Sequence, residues 1–283
     1  MTYREAEIAF IRQLEALYSD REAKQLSNWV MENITGKSRV DRLLRKDEEL
    51  SDEMQHKWHA ILNRMLQHEP IQYVLGEAPF MGKLLQVNQH TLIPRPETEE
   101  LVSWILDDYK DKNIRVLDVG TGSGCIALAL KQFRPSWRIT ATDFSSGALA
   151  TASSNGNRLN LTIEWKVLNM LEINHSGWGD TYQVIVSNPP YIPEKEKASL
   201  SQHVRDFEPS SALFVPDNDP LLFYKALLVN TPAHLTKGGH LYLEINDQLG
   251  EATLNLFVAA GWEAELRKDL QGNHRMIKAT PPL

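Results

Sequence analysis

The chain of 283 residues has little cysteine and no long apolar run. Its single cysteine, Cys125, can neither form an internal disulfide nor supply a metal cluster, so we expect no metal site and no oxidising compartment. The N-terminus lacks the apolar core of a signal peptide, and no segment approaches the roughly 20 apolar residues of a membrane span. These absences predict a soluble, cytoplasmic protein that does not bind a membrane.

Concentrated charge is also missing. The net charge is −7 at pH 7, with −3 in residues 1–80 and −4 in the remainder. The basic cluster within "RVDRLLRKDEELSDE" is diluted by its own acidic residues. Proteins that bind a phosphate backbone usually carry a basic stripe, so we expect no direct binding of DNA.

The first 75 residues predict a small helical domain, because apolar residues recur at helical spacing. The apolar positions assigned to the first two helix faces are Ile8, Ile11, Leu14, Leu17 and Leu26, Trp29, Val30, Ile34. Ser51, which is followed by acidic residues, predicts the N-cap of a further helix.

The rest of the chain predicts an α/β fold. Residues 76–96 mix β-prone residues with a glycine turn and prolines, which indicates a hairpin connector. In residues 97–283 a first helix is followed by alternating strands and helices, a pattern typical of a parallel sheet covered on both faces. Ligands of such sheets bind at the carboxyl ends of the strands.

A glycine-rich loop stands between a predicted strand and a predicted helix in "VLDVGTGSGCIALAL". Glycines there permit a tight turn and let a ligand lie against N–H groups at a helix N-terminus. Asp143 ends the next strand about 20 residues later, where an acid commonly binds the ribose of a nucleotide-type cofactor. The structural alternative is a plain loop, with Asp143 capping the next helix. The predicted cofactor-binding loop is Gly120, Thr121, Gly122, Ser123 and Gly124.

The tetrapeptide Asn188, Pro189, Pro190 and Tyr191 ends a later apolar strand. Two prolines end sheet pairing and hold the backbone rigid, which frees the carbonyls of Asn188 and Pro189. Two acceptors suit a planar –NH₂ group, and Tyr191 can stack on that group. These residues therefore predict a substrate site that binds and orients an amide or aryl amino nitrogen. The structural alternative is a rigid turn with Tyr191 in the core.

Several motifs together resemble a known family. The spacing G-x-G-x-G, with Asp118 two residues ahead, resembles the first motif of methyltransferases that use S-adenosylmethionine (SAM). "TLIPRPETEELV", "SNPPYIP", "VRDFEPSSAL" and "KDLQGNHR", in this order, resemble the peptide chain release factor glutamine methyltransferases, the PrmC/HemK family. The resemblance covers nearly the whole chain. It implies a seven-stranded sheet with an antiparallel last strand, SAM as cofactor and S-adenosylhomocysteine as product.

The same resemblance implies roles for individual residues. The glycine loop would lie under the methionine portion of SAM, and Asp143 would bind the ribose. Asn169 and Met170 stand where the family commonly has an acid and an aromatic residue, so they would contact the adenine and bind it less tightly. Asn188, Pro189 and Tyr191 would be the catalytic residues.

The resemblance further implies the substrate. The methyl group would go to the glutamine of the Gly-Gly-Gln loop of class 1 release factors, which acts in translation termination. The helical domain would bind another part of the release factor, and the enzyme would act as a monomer.

Six further residues have weaker assignments. Arg95, Glu97 and Glu99 would lie near the cleft, and the two acids are expected to cap a helix. Arg205 and Glu208 are expected to form an ion pair that holds the loop after the tetrapeptide. Glu244, on a predicted strand, is equally well interpreted as a buried structural acid or as a site residue.

Other functions fit part of the pattern. The amino group could belong to adenine in DNA, to guanine in RNA or to a glutamine of a ribosomal protein, and the first of these would require base flipping. A SAM-sensing or RNA-binding module without catalysis is a further alternative. The intact glycine loop and Asn188 argue against it.

Overall fold

A computed structural model describes residues 1–110, 113–172 and 178–282. The chain divides into two compact units. The first comprises Met1–Gly76 together with Gln202–Phe207. The sequence predicts that residues 202–207 belong instead to the α/β region of residues 97–283. The rest of the described chain forms the second unit.

The first unit is helical. Its helices are α1 (Tyr3–Leu14), α2 (Asp20–Thr35), α3 (Arg39–Leu44), α4 (Asp52–Leu66), α5 (Ile71–Leu75) and α9 (Gln202–Phe207). A hydroxyl side chain caps each of the first four helices by accepting an N–H three residues ahead. Ser51 caps α4 in this way, as predicted. Helix α2 ends at Gly36, whose φ of +65° is readily adopted by glycine.

The predicted apolar face of α1 is right for Leu14 and wrong for Ile8. Its buried residues are Tyr3, Ala6, Phe10 and Leu14, whereas Ile8 is 43% exposed. Steps of three residues drift around a helix of 3.6 residues per turn, while alternating steps of three and four stay on one side. On α2 the prediction was closer, since Val30 and Ile34 are buried.

The second unit begins with an antiparallel hairpin of β1 (Glu77–Phe80) and β2 (Lys83–Gln86). Met81 and Gly82 both have positive φ at its turn, as a tight two-residue hairpin requires. Helix α6 (Pro96–Asp108) follows and leads into the sheet.

The sheet has seven strands in the order β10-β11-β9-β6-β3-β4-β5. They are β3 (Arg115–Val119), β4 (Arg138–Asp143), β5 (Glu164–Val167), β6 (Tyr182–Ser187), β9 (Leu235–Glu244), β10 (Glu263–Lys268) and β11 (His274–Thr280). Strand β11 is antiparallel to both of its neighbours, and the other strands are parallel to one another. The predicted α/β fold with an antiparallel last strand is confirmed.

Helices cover both faces of this sheet. They are α7 (Cys125–Phe133), α8 (Ser146–Leu159), α11 (Leu222–Asn230) and α12 (Gly250–Ala259). Neighbouring residues of β3 enter different apolar clusters, Val116 on one face and Leu117 on the other. After β6 the chain forms a small parallel pair, β7 (Ile192–Pro193) and β8 (Phe214–Val215), with α10 (Ser210–Leu213) before β8.

Strand β3 pairs with β4 on one side and with β6 on the other. The connection after β3 leads to β4 and the connection after β6 leads to β9, in opposite directions across the sheet, which opens a crevice at the carboxyl ends of β3 and β6. Over the described ranges, no helix is both long and apolar enough to cross a membrane.

Candidate active site

A cavity opens at the carboxyl ends of β3, β4 and β6. Its empty space, which includes a part open to solvent, is about 920 Å³. The predicted site residues that line it are Gly120, Thr121, Gly122, Ser123, Asp143, Asn169, Met170, Asn188 and Pro190. Gly124, Pro189 and Tyr191 are outside this lining.

Each glycine of the loop has positive φ, but the three serve different purposes. A methyl group on Gly120 would approach Met170 Cε at 3.2 Å, and one on Gly124 would approach Ala152 Cβ at 3.1 Å. Gly124 therefore permits close packing of α7, whereas a methyl group on Gly122 would meet no atom of the described residues within 4 Å. Open space at Gly122 belongs to the cavity.

Asp143 joins the loop to the end of β4. Its carboxylate accepts the N–H of Gly122 through Oδ2 and that of Ser145 through Oδ1, both at 2.9 Å. Helix α8 is capped by Ser145 itself, which accepts the N–H of Ala148. Burial raises the pKa of Asp143. The carboxylate thus lies on the cavity wall and fixes the loop.

Asp118 lies beneath the same loop and is fully buried. Its Oδ2 accepts the Thr121 hydroxyl at 2.6 Å and the Ala127 N–H at 3.2 Å, while Oδ1 has no hydrogen-bond partner among the described residues. Desolvation raises the pKa of Asp118 to about 7. Of these two acids, Asp143 lines the cavity, where a carboxylate suits the ribose hydroxyls of SAM. The residues present therefore fit this cofactor.

Asn188 directly follows β6 and is half-buried at the cavity. Its Nδ2 donates to Thr98 Oγ1 at 3.3 Å. Throughout the described ranges, nothing donates a hydrogen bond to Asn188 Oδ1 or to the carbonyl of Pro189. Both oxygens therefore keep their capacity to accept a hydrogen bond.

Tyr191 is half-buried and packs against an apolar cluster. Its hydroxyl donates to Glu244 Oε1 at 3.1 Å, and its carbonyl accepts from Asn246 Nδ2 at 3.2 Å. The hydroxyl end of the ring is directed at Glu244. Stacking of the ring on the substrate remains a prediction.

Glu244 ends β9 and is 1% exposed. It accepts the Thr98 hydroxyl at 2.6 Å in addition to that of Tyr191. Burial raises the pKa of Glu244, while the charge of Arg275 lowers it. Thr98 was not predicted as a site residue, although it lies within the "IPRPETE" segment. Its position, two residues after the proline that begins α6, could have indicated it.

The predicted ion pair between Arg205 and Glu208 is wrong. Arg205 pairs with Asp206 on exposed α9, at 2.8 Å. Glu208 is buried in the second unit, where it pairs with Arg95 and accepts the N–H of Ile93 at 3.1 Å. Proximity in sequence suggested a pair, but the two residues belong to different units and each has another partner.

The acids of α6 do not cap it through hydrogen bonds. The helix begins at Pro96 with no side-chain cap, and Glu97 and Glu99 lie in its first turn, where a negative charge is favourable. Glu99 accepts the N–H of Met81 at 2.7 Å and so holds the hairpin turn. Arg95 lines the cavity.

Asn169 and Met170 both line the cavity, as predicted for the adenine end. Asn169 Oδ1 accepts the N–H of Leu171 at 3.1 Å. Two aromatic residues of the lining, Phe144 and Phe223, were not singled out from sequence. Phe144 is 55% exposed. Its position directly after Asp143 could have identified it as a residue of the cavity.

Comparison with known families matches both parts of the chain. Residues 5–76 match the PrmC N-terminal domain, and residues 98–206 match the methyltransferase small domain. Curated relatives named release factor glutamine methyltransferase include that of Flavobacterium psychrophilum, 39% identical over 95% of each chain. That of Bacteroides thetaiotaomicron is 38% identical over 96% of this chain and 98% of its own.

Solved structures share the fold. A methyltransferase from Pyrococcus furiosus superposes with a TM-score of 0.54 at 20% identity, over 78% of this chain and 98% of its own. The catalytic domain of hMettl16 gives a TM-score of 0.53 at 17% identity, over 82% of each chain.

Proposed function

Since the chain belongs to the release factor glutamine methyltransferase family, we propose that it methylates the side-chain amide nitrogen of the glutamine in the Gly-Gly-Gln motif of class 1 peptide chain release factors. The enzyme is a SAM-dependent methyltransferase. One observation supports the acceptor most strongly: Asn188 reaches the cofactor cavity with its Oδ1 unpartnered among the described residues.

The cofactor is held by residues of the glycine loop and of the β4 and β5 ends. The loop from Gly120 to Ser123 would lie beside the methionine portion, Asp143 would bind the ribose, and Asn169 and Met170 would contact the adenine. Bound SAM supplies an electrophilic methyl group, and the release of S-adenosylhomocysteine completes the turnover.

The protein's own task is to orient a weak nucleophile. The lone pair of an amide nitrogen is delocalised, and attack on a methyl group places positive charge on the nitrogen. Asn188 Oδ1 and the Pro189 carbonyl accept the two N–H groups, point the nitrogen at the methyl group and stabilise that charge. Orientation of this kind contributes up to about 7–11 kcal/mol. No general base is required, because the methylated nitrogen becomes acidic and loses its proton to water.

The remaining assignments concern the protein partner. Pro190 and Tyr191 hold the tetrapeptide rigid at the glutamine, and the helical region of residues 1–75 binds another part of the release factor. Residues 76–96 connect it to the methyltransferase region of residues 97–283. The enzyme acts in the cytoplasm as a monomer, without direct contact with DNA.

Transfer of labelled methyl from SAM tests this function. We expect labelling of a class 1 release factor and none of its variant with glutamate in place of the Gly-Gly-Gln glutamine. Asn188→Ala should abolish transfer while weakening cofactor binding only modestly. Equal labelling of both release factors, or label on DNA, RNA or a ribosomal protein instead, would contradict the proposal.

A further inference from the structure

Three side chains from separate elements form one hydrogen-bonded chain behind the cavity. Glu244 from the end of β9 accepts the Thr98 hydroxyl of α6 at 2.6 Å. Thr98 Oγ1 in turn accepts from Asn188 Nδ2 at 3.3 Å. Thr98 is 2% exposed and Glu244 is 1% exposed, so bulk water does not compete for these groups. This series of hydrogen bonds ends at the side-chain amide of Asn188, which faces the cavity.

The donors in this chain can be assigned from the number of protons available. A threonine hydroxyl carries one proton, and an ionised carboxylate can only accept. Since Thr98 gives its proton to Glu244, its oxygen can only accept from Asn188. The NH₂ group is the only donor of an asparagine side chain, so Nδ2 must face Thr98 and Oδ1 must face the cavity.

The opposite amide orientation would prevent the proposed reaction. A Thr98 hydroxyl that was free to donate could bond Asn188 Oδ1 and turn the NH₂ group toward the cavity. Two NH₂ groups would then face each other, and neither could accept. Glu244 accepts a second hydrogen bond, from the Tyr191 hydroxyl; burial raises the pKa of Glu244, and its hydrogen bonds and the charge of Arg275 act against that rise.

We propose that Thr98 and Glu244 are positioning residues that fix the amide orientation of Asn188, so that Oδ1 accepts from the substrate –NH₂ group. The inference rests on the proposed function, since it assumes a substrate that donates N–H groups. Neither residue touches the reacting atoms; both act through Asn188. A purely structural role would instead affect stability without a selective effect on kcat.

Thr98→Val tests the proposal because valine keeps the shape and removes the hydroxyl. We expect kcat with a release factor to fall about 10- to 100-fold, no more than for the loss of one direct transition-state hydrogen bond, since Thr98 acts through Asn188. Affinity for SAM should stay within about threefold, a change of less than 1 kcal/mol. Thr98→Ser, which restores the hydroxyl, should recover most of kcat. The matched control is Thr253→Val on α12. It removes a buried hydroxyl that donates a hydrogen bond to the carbonyl of Leu249.

Glu244→Gln is the second test if Thr98→Val fails to fold, and where both variants fold they form a double-mutant cycle. The side-chain amide of Glu244→Gln can donate to Thr98 and reverse the chain, so this variant alone should also slow turnover. Because both residues act through one bond, the double variant should be no slower than the slower single variant. Wild-type kcat in Thr98→Val, no recovery in Thr98→Ser, or additive losses would each overturn the proposal. If the wild-type enzyme fails to methylate release factors, the proposed function fails instead.

Discussion

Replacing Gly122 by alanine adds one methyl group to the wall of the cavity. Gly122 has a φ of +56°, and a methyl group there meets no protein atom within 4 Å. An L-residue in the left-handed region costs about 1–2 kcal/mol. The apoenzyme should therefore lose about that much stability, without any further cost from a clash.

Gly36 offers a matched control in the helical unit. Its φ is +65°, and a methyl group there also meets nothing within 4 Å. Gly36→Ala should thus lower the free energy of unfolding by a similar amount, although Gly36 is outside the cavity lining. The two variants differ in only one respect, which is what the added methyl group faces.

The cofactor should distinguish them. In Gly122→Ala the methyl group occupies space that we assign to the methionine portion of SAM, so the dissociation constant should rise at least tenfold, or about 1.4 kcal/mol. Gly36→Ala should bind SAM like the wild type. Isothermal titration calorimetry gives the affinities and thermal unfolding gives the stabilities. Equal affinity in the two variants would refute the placement of SAM against the glycine loop.

Three further predictions concern stability. Because folding raises the pKa of Asp118 from 3.8 to about 7, the folded protein binds that proton more tightly than the unfolded chain does. This group therefore favours folding increasingly as the pH falls from about 7 to about 4; Asp118→Asn should lose that pH dependence in thermal unfolding. Phe10→Ala should cost about 3–5 kcal/mol, whereas Ile8→Ala should stay within about 0.5 kcal/mol, and similar losses in urea unfolding would contradict the buried face of α1. Glu208→Ala should cost about 3 kcal/mol, since it leaves Arg95 and a buried N–H unpartnered; unchanged urea unfolding would contradict that pairing.

Local patterns predicted the elements of the site well. The glycine loop, the acid at the end of β4 and the two prolines after β6 each have a physical effect that operates within a few residues. Alternating strands and helices then place their carboxyl ends at one edge of the sheet. For these reasons the cavity and most of its predicted lining could be anticipated from the sequence.

Pairings across the fold could not. Glu208 pairs with Arg95 over 113 residues of chain, and Thr98 donates to Glu244 over 146 residues. Tertiary packing determines which residues form such pairs, and it cannot be read from the sequence alone. The predicted pair of Arg205 and Glu208 failed because nearness in sequence was taken as nearness in space.

Mass spectrometry of the release factor after reaction tests the central claim most directly. Fragmentation of the peptide that contains the Gly-Gly-Gln motif should locate one added methyl group on the side-chain amide of the glutamine, and the Asn188→Ala enzyme should leave that peptide unmodified. A methyl group on any other residue, or the same modification by the Asn188→Ala enzyme, would contradict the account.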